Sequence, residues 1–277
     1  MNRLITWLVI AVFLMMTGIA HAQTSSFNYG SSSNSGSVFR VDPVVDGSIM
    51  LLSSMVVFVP ILTESEIEYR DPESLDRNDV NSLDRGVIDN NSNGFRTASH
   101  IGVVAVPLGV YGLTFLYDKN NSSSEIIQDI TMISESVMVN AAFNQIMCHS
   151  FSRPRPYMYT DERDEARNDN WDYRSFYSGH TSNAMAACTA IAYIHSVRYP
   201  DSPYKTALWT ASALGCTAIG AARIAAGDHY YSDVLTGLVA GFSIGVLVPE
   251  MHRVGRMLNP NISLSLLPAG AGVTLSF

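Results

Sequence analysis

Residues 222–233 read ARIAAGDHYYSD, and the interpretation of the whole chain works outward from this stretch. Apolar residues typical of a helix run up to Arg223, Gly227 interrupts the pattern, and a second apolar segment follows. If this second segment is helical from about His229, then His229 and Asp233 lie one turn apart on one face. A carboxylate there would hold one imidazole nitrogen as a donor and leave the other free as a nucleophile or base. The nearby guanidinium of Arg223 suits phosphate oxygens.

Composition limits the classes of function. The chain has 277 residues, a net charge of −8 and 15% charged residues, so we expect no nucleic-acid partner. Its three cysteines, Cys148, Cys188 and Cys216, lie in apolar stretches without the spacing of metal ligands or of a disulfide framework. We therefore interpret them as buried thiols.

The N-terminus has the three parts of an export signal. Arg3 precedes an uncharged run over 4–20, and the sequence AHA then supplies a small-residue cleavage site. We interpret residues 1–22 as a signal peptide, with an uncleaved membrane anchor as the alternative. Residues 23–45 are rich in Ser, Asn and Gly, which predicts a flexible N-terminus of the exported protein.

Six apolar segments predict an all-α fold, a bundle of about six helices with a small C-terminal β-hairpin. The first two segments are joined by residues 64–96, which carry nine acidic residues and four arginines and favour a solvated connection. The helical domain is expected to span 46–256, and alternating apolar and polar residues predict the hairpin over 257–277. The predicted helical segments are 47–63, 100–117, 125–148, 183–197, 206–226 and 234–249.

Three polar islands fall at one end of such a bundle, because successive connections alternate between its two ends. The first is RPRP at 153–156, which offers rigid positive charge. The second is YSGHT at 177–181, where a helix N-terminus favours an anion. The third is the stretch 222–233. Each island alone is also compatible with a surface turn or a helix cap, but together they predict an oxyanion site with a nucleophile and an acid.

The order and spacing of these islands resemble the type 2 phosphatidic acid phosphatase superfamily, which shares its fold with the vanadium haloperoxidases. The resemblance covers roughly residues 46–250. The family pattern is K-x6-R-P, then P-S-G-H, then S-R-x5-H-x3-D. In this chain it reads Cys148-x6-Arg155-Pro156, Tyr177-Ser178-Gly179-His180 and Ala222-Arg223-x5-His229-x3-Asp233.

Three positions depart from the family pattern. Tyr177 replaces a proline and Ala222 a serine, and neither position carries the chemistry. Cys148 replaces the phosphate-binding lysine of the family, and no lysine lies between residues 120 and 204. Arg153 is the candidate replacement for that lysine.

The resemblance implies a metal-independent hydrolase without a cofactor, acting on a phosphate monoester, either a lipid phosphate or a pyrophosphate. His229 would attack phosphorus, Asp233 would orient it, and His180 would protonate the leaving oxygen and later activate water. Two alternatives stay open: a vanadate-dependent haloperoxidase, and a non-catalytic anion-binding protein of the envelope. The phosphate-binding residues implied are Arg155, Arg223, Ser178 and Gly179, with Arg153 in addition.

The lengths of the apolar segments bear on where the protein is located. The uncharged run 97–117 is long enough to cross a membrane, whereas 47–63, 206–222 and 234–249 are shorter than the usual ~20 residues. We expect an exported protein, periplasmic or membrane-associated, with its site facing the periplasm. The oligomeric state is left open.

Overall fold

The structure is a computed structural model, and two of the sequence predictions lie largely outside the residues that it describes. The predicted signal peptide at 1–22 and most of the predicted N-terminal segment at 23–45 are not among them, so both stay predictions. The described residues are 37–62, 72–117, 123–160, 171–254, 262–267 and 270–275.

The described chain is mainly helical, which confirms the all-α class. Each of the six predicted apolar segments forms a long helix. One short helix lies in the connection at residues 64–96, called the polar connection below. The helices are α1 (Pro43–Leu62), α2 (Ser82–Arg85), α3 (Asn93–Tyr117), α4 (Ser123–Phe151), α5 (Gly179–Arg198), α6 (Lys205–Ala225) and α7 (Tyr231–Met251). Short 3-10 turns lie at Pro72–Ser74, Arg77–Asp79 and Pro156–Tyr159.

The C-terminal segment is traced as two antiparallel strands, β1 (Ile262–Leu267) and β2 (Gly270–Leu275). Their side chains lie outside the described residues, so the hairpin as a folded part of this domain stays a prediction.

Helix α5 is the centre of the bundle, since it packs against α3, α4, α6 and α7. Its closest neighbour is α7, whose Gly237, Gly241 and Gly245 recur at every fourth residue and share one face. A Cβ added at Gly241 would lie 2.3 Å from the carbonyl oxygen of Ser182 on α5. The two backbones can touch only because these positions carry no side chain. This contact sets the start of α5 against the start of α7, where two of the polar islands lie.

The N-terminal segment is ordered earlier than predicted. Phe39 is fully buried in the core cluster of α4 and α5, and its backbone forms an isolated bridge with Arg253. Helix α1 then begins at Pro43. The predicted flexible segment therefore does not extend to residue 45, because the apolar side chain of Phe39 finds a place in the core.

The polar connection is also more than a solvated segment. Val80, Val87 and Ile88 are buried and pack with Tyr230, and Asp84 is fully buried. The preference for a solvated connection is therefore wrong for this part of residues 64–96. Its few apolar residues, which are hard to recognise among many acidic ones, pack the connection against Tyr230 at the end of the bundle where the polar islands lie.

Large apolar side chains are exposed on the outward faces of α1, α3, α6 and α7. Monomeric soluble proteins rarely expose continuous apolar surface of this extent. Among the described residues, two helices are long and apolar enough to cross a membrane, Asn93–Leu116 and Tyr231–Met251. Both observations are consistent with membrane association. The exposed residues include Leu51, Phe58, Ile101, Val104, Leu108, Leu214, Leu235, Val239 and Leu247, each between 51% and 68% exposed.

Candidate active site

Hydrogen bonds join the three polar islands at one end of the bundle. The backbone N–H of Ser178 donates to the carbonyl oxygen of Asp233 at 3.1 Å, which ties the start of α5 to the first turn of α7. The N–H of Ser175 donates to the carbonyl oxygen of Arg153 at 3.1 Å. Ser175 also accepts from His229, whose Nδ1 lies 2.8 Å from its carbonyl oxygen. The segment before α5 is thus the link between the other two islands.

His229 is buried, and its orientation is set by a backbone carbonyl. Because Nδ1 donates its proton to the carbonyl oxygen of Ser175, Nε2 is the unprotonated nitrogen. Burial, with Arg155 and Arg223 in addition, lowers the pKa of His229 well below its usual value. The imidazole is therefore neutral at physiological pH. A neutral, oriented imidazole with one lone pair available is what nucleophilic attack requires.

The relation of His229 to Asp233 differs from the sequence prediction. Helix α7 begins at Tyr231, so His229 precedes the helix and does not lie on its face. The carboxylate oxygen Oδ2 of Asp233 is 3.6 Å from His229 Nδ1, beyond hydrogen-bonding distance. The predicted direct hydrogen bond is therefore absent from the structure, because the carbonyl of Ser175 takes the Nδ1 proton.

Asp233 contacts the nucleophile indirectly, through Ser175. Its fully buried carboxylate accepts hydrogen bonds from Ser175 Oγ at 2.5 Å, from the backbone N–H of Tyr230 at 3.0 Å and from Arg153 at 2.6 Å. The Tyr230 bond satisfies an N–H at the start of α7. Ser175 therefore bridges the pair, since its hydroxyl donates to Asp233 while its carbonyl accepts from His229.

Arg153 is engaged by carboxylates. Its Nη1 lies 2.6 Å from Asp233 Oδ1, and its Nη2 lies 2.9 Å from Asp84 Oδ2. Nη1 also donates to Ser232 Oγ at 2.8 Å, and the guanidinium stacks 3.9 Å from the ring centroid of Tyr230. Both carboxylates are fully buried. The structure thus places Arg153 on a buried acidic pair and does not support the phosphate contact predicted for it.

Two other guanidiniums, those of Arg155 and Arg223, are near enough to His229 to lower its pKa. Arg223 is buried, with Nη1 2.8 Å from Asp228 Oδ2 and 3.2 Å from Ser99 Oγ. Its Nε has no hydrogen-bond partner among the described residues. Burial lowers the pKa of Arg223 to about 10, so the group stays charged at neutral pH. Arg155 donates from Nε to the carbonyl oxygen of Trp171 at 2.8 Å.

His180 has a partner that sequence reasoning missed. Its Nε2 lies 3.0 Å from Nδ1 of His100 on α3, and the two rings meet edge to face with centroids 4.9 Å apart. Burial, followed by the charge of Arg223, lowers the pKa of His180 to about 2. The pair is therefore neutral at physiological pH. No motif signals His100, because it lies within an apolar helical segment.

The start of α5 has the form predicted for an anion site. Ser178 is the N-cap residue, but its Oγ pairs with Thr181 Oγ1 at 2.9 Å and makes no capping bond to the backbone. Gly179 is the first residue of the helix, and a Cβ there would lie 2.9 Å from Asn144 Oδ1. The N–H groups of this first turn have no partner within the helix and can donate to an anion.

Gly227 is required by its backbone and by its neighbours. It has a φ of 71°, in the left-handed region, and a Cβ there would lie 2.0 Å from the carbonyl oxygen of Asn90. The side chain of Asn90 donates to the carbonyl oxygen of Ile224 at 2.9 Å. The polar connection therefore also helps to form the turn that presents His229.

Cys148 cannot replace the charge of the family's lysine. Its thiol is buried, and burial raises its pKa to about 12, so it is neutral. The sulfur lies 3.8 Å from the carbonyl oxygen of Arg174, a buried arginine that sequence reasoning did not select. The Arg174 guanidinium stacks 4.7 Å from the ring centroid of Trp171. The backbone of Arg174 therefore lies beside Cys148, and its guanidinium is near enough to oppose, electrostatically, the rise in the pKa of the thiol.

This end of the bundle thus brings together a buried neutral histidine, two guanidiniums, a second histidine and a helix N-terminus. Such groups can bind an oxyanion. The family model of the PAP2 superfamily matches residues 130–256, which contain all three polar islands. Over these residues the match confirms the resemblance drawn from the motifs.

Two further comparisons describe the similarity to known proteins. One solved structure is the crystal structure of the first transmembrane PAP2-type phosphatidylglycerolphosphate phosphatase from Bacillus subtilis. It is 18% identical, with a TM-score of 0.45, and the match covers 89% of this chain and 98% of that one. No curated protein matches the chain.

Proposed function

We propose that this protein is a PAP2-type phosphatase that hydrolyses phosphate monoesters through a phosphohistidine intermediate on His229. The observation that carries the proposal is the state of that side chain. Its Nδ1 is held by the carbonyl of Ser175, so its unprotonated Nε2 lies under the influence of Arg155 and Arg223. The match to the superfamily supports the same class of activity.

In the first step, His229 Nε2 attacks phosphorus and the bond to the leaving oxygen breaks. His180 donates a proton to that oxygen. The substrate's negative charge offsets the nearby guanidiniums, which raises the pKa of His180 and lets it carry the proton. His100 shares that proton across the 3.0 Å contact, so it acts as a positioning residue for the acid.

In the second step, His180 takes a proton from water, the water oxygen attacks phosphorus, and the bond to His229 Nε2 breaks. Inorganic phosphate leaves, and the imidazole returns to its neutral form. Throughout, Nδ1 keeps its bond to Ser175, whose hydroxyl is held by Asp233. Asp233 therefore stabilises the charged phosphohistidine through one intervening residue.

The phosphate oxygens would be held by Arg155, Arg223 and the first-turn N–H groups at Ser178 and Gly179. Electrostatic stabilisation of this kind is usually the largest contribution to catalysis at such sites. We assign to Arg174, beside the neutral Cys148, the charge that the family's lysine supplies. Arg153 is then a positioning residue that holds Asp233.

A lipid phosphate is the substrate that the surface favours. His100 lies on α3 directly before Ile101, and Ile101 and Val104 are 63% and 59% exposed. An apolar helix face thus leads to the histidine pair, and acyl chains would lie along it while the headgroup enters the site. With an export signal at 1–22, the site would face the periplasm.

The test uses the full chain purified in detergent, with phosphate release measured from phosphatidic acid and from a soluble aryl phosphate. His229→Ala should abolish release from both substrates. The matched control is His195→Gln, a buried histidine at the other end of α5, which should keep wild-type turnover. Turnover of His229→Ala near the wild-type rate would refute the assignment.

Two further outcomes separate the alternatives. Quenching the wild type with labelled substrate in alkaline denaturant should trap a phosphoenzyme that later acid treatment hydrolyses and that His229→Ala does not form. Bromide oxidation that appears only with added vanadate, without phosphatase activity, would instead indicate a haloperoxidase.

A further inference from the structure

A second cluster of chemically active side chains lies at the opposite end of the bundle. Asp46 on α1, Glu135 on α4 and His252, directly after α7, are all buried, with exposures of 4%, 1% and 4%. Each offers one ligand atom, and these atoms lie within 4.8 Å of one another. The 21 residues of α7 separate the cluster from the candidate active site by about 30 Å, at about 1.5 Å per residue.

The imidazole of His252 is oriented as in metal sites. Its Nδ1 lies 2.8 Å from the carbonyl oxygen of Val248, so the Nδ1 proton is donated there. The Nε2 lone pair then points between Asp46 Oδ1 at 3.2 Å and Glu135 Oε2 at 3.3 Å. Metal-binding histidines typically donate their other ring N–H to a backbone carbonyl or a carboxylate, which fixes the tautomer.

A proton alone satisfies this cluster poorly. One proton on Nε2 can form a good bond with one carboxylate, and both spacings exceed the 2.7–2.9 Å usual for charge-assisted bonds. Glu135 Oε2 has no hydrogen-bond partner among the described residues, although it is aimed at Nε2. His252 is the only basic side chain of the described chain that pairs with Asp46 or Glu135. The single Nε2 position is therefore shared between two carboxylate oxygens, and the Glu135 oxygen has no hydrogen bond of its own among the described residues.

A divalent cation removes this difficulty, since its two charges balance the two carboxylates. Zinc binds histidine nitrogen and carboxylate oxygen at about 2.0–2.2 Å in a tetrahedral arrangement, which places neighbouring ligand atoms about 3.3–3.6 Å apart. The two measured spacings from Nε2, 3.2 and 3.3 Å, are close to this range. A small inward or outward adjustment of the side chains suffices to admit the ion, with water as a fourth ligand.

We propose that Asp46, Glu135 and His252 bind a divalent transition-metal ion of the Zn²⁺ type, which joins three elements of the bundle. A backbone hydrogen bond already joins the segment before α1 to the end of α7, since the N–H of Arg40 donates to the carbonyl oxygen of His252 at 2.9 Å. The ion would connect the entry to α1, the middle of α4 and the end of α7. Its role is structural, and the proposal does not depend on the function of the candidate active site.

No sequence pattern indicates this site. Its three ligands lie at positions 46, 135 and 252, separated by 89 and 117 residues, whereas recognisable zinc motifs place ligands a few residues apart. The expectation of no metal came from the resemblance to a metal-independent family and from cysteines that lack the spacing of metal ligands. Only the packing of α1, α4 and the end of α7 brings the three groups together.

The test measures zinc in the full chain purified in detergent, after equilibration with ZnSO₄ and removal of unbound metal. Mass spectrometry of the metal content should find about one zinc ion per chain, with a chelator releasing it. Asp46→Asn and Glu135→Gln should each lower zinc affinity by about tenfold or more. The control is Glu250→Gln at the same end of α7, which should bind zinc like the wild type.

Thermal unfolding and cobalt spectra give independent readouts. Added zinc should raise the Tm of the wild type and of Glu250→Gln, but not that of Glu135→Gln. Replacement of zinc by Co²⁺ in the wild type should produce visible absorption bands of a site with nitrogen and oxygen ligands.

Less than about a tenth of a zinc ion per wild-type chain, with no shift in Tm, would overturn the proposal. Zinc retained undiminished by Glu135→Gln would do the same. If a variant fails to fold, the wild-type titration and the cobalt spectrum still decide.

Discussion

Replacing Arg153 by alanine separates the two roles that this residue could have. The substitution leaves Asp84 and Asp233 fully buried without their shared cation. Removing one partner of a buried ion pair typically costs about 3–5 kcal/mol, because an uncompensated charge stays in the interior. Since the Arg153 side chain is 23% exposed, we expect the lower end, about 3 kcal/mol. For a chain of this size that corresponds to a fall in Tm of about 6–10 °C.

The assay compares Tm and steady-state kinetics of Arg153→Ala with those of Arg153→Ala/Asp84→Asn. Removing the Asp84 charge should restore part of the lost stability, because the two positions are coupled. In the single variant kcat should fall while KM changes little, since Asp233 loses a positioning contact and the phosphate loses none. An unchanged Tm with a strongly raised KM would refute this reasoning and return Arg153 to the phosphate.

Three further predictions follow from the site and from the packing. His100→Asn should lower kcat by about 10–100-fold and alter the pH–rate profile of kcat, because the proton partner of the acid is lost; an unaltered profile would remove His100 from the mechanism. Arg174→Ala should lower kcat/KM by about 30-fold or more, as expected for one charge-assisted phosphate contact, whereas Cys148→Ala should stay within about threefold of wild type. Equal effects of the two substitutions in phosphate-release assays would contradict this assignment. Gly241→Ala should cost about 1–3 kcal/mol of stability in thermal unfolding, because its Cβ would meet a carbonyl of α5 at 2.3 Å. Gly215→Ala on α6, where a Cβ meets nothing within 4 Å, is the control and should be neutral or stabilising; equal losses would show that the glycines do not set the distance between α5 and α7.

The long helices and the order of the polar islands were within reach of sequence reasoning. Apolar segments separated by turn residues predict helices because burial of an apolar face stabilises a helix wherever the bundle places it. The islands could be predicted to meet, because connections in an up-and-down bundle alternate between its ends. The prediction that the polar connection is solvated was wrong for part of it. Three buried apolar residues among nine acidic ones do not form a pattern that indicates burial.

The sequence by itself determined the helical class, the end of the bundle at which chemistry is expected, and the resemblance to the PAP2 superfamily. Only the tertiary structure decided which groups contact each other there. It placed Ser175 between His229 and Asp233, His100 beside His180, and Arg153 on two carboxylates. These contacts join residues that are distant along the chain, so no spacing encodes them. Which groups form hydrogen bonds depends on differences in distance of a few tenths of an ångström. Those distances are set when the helices pack against each other.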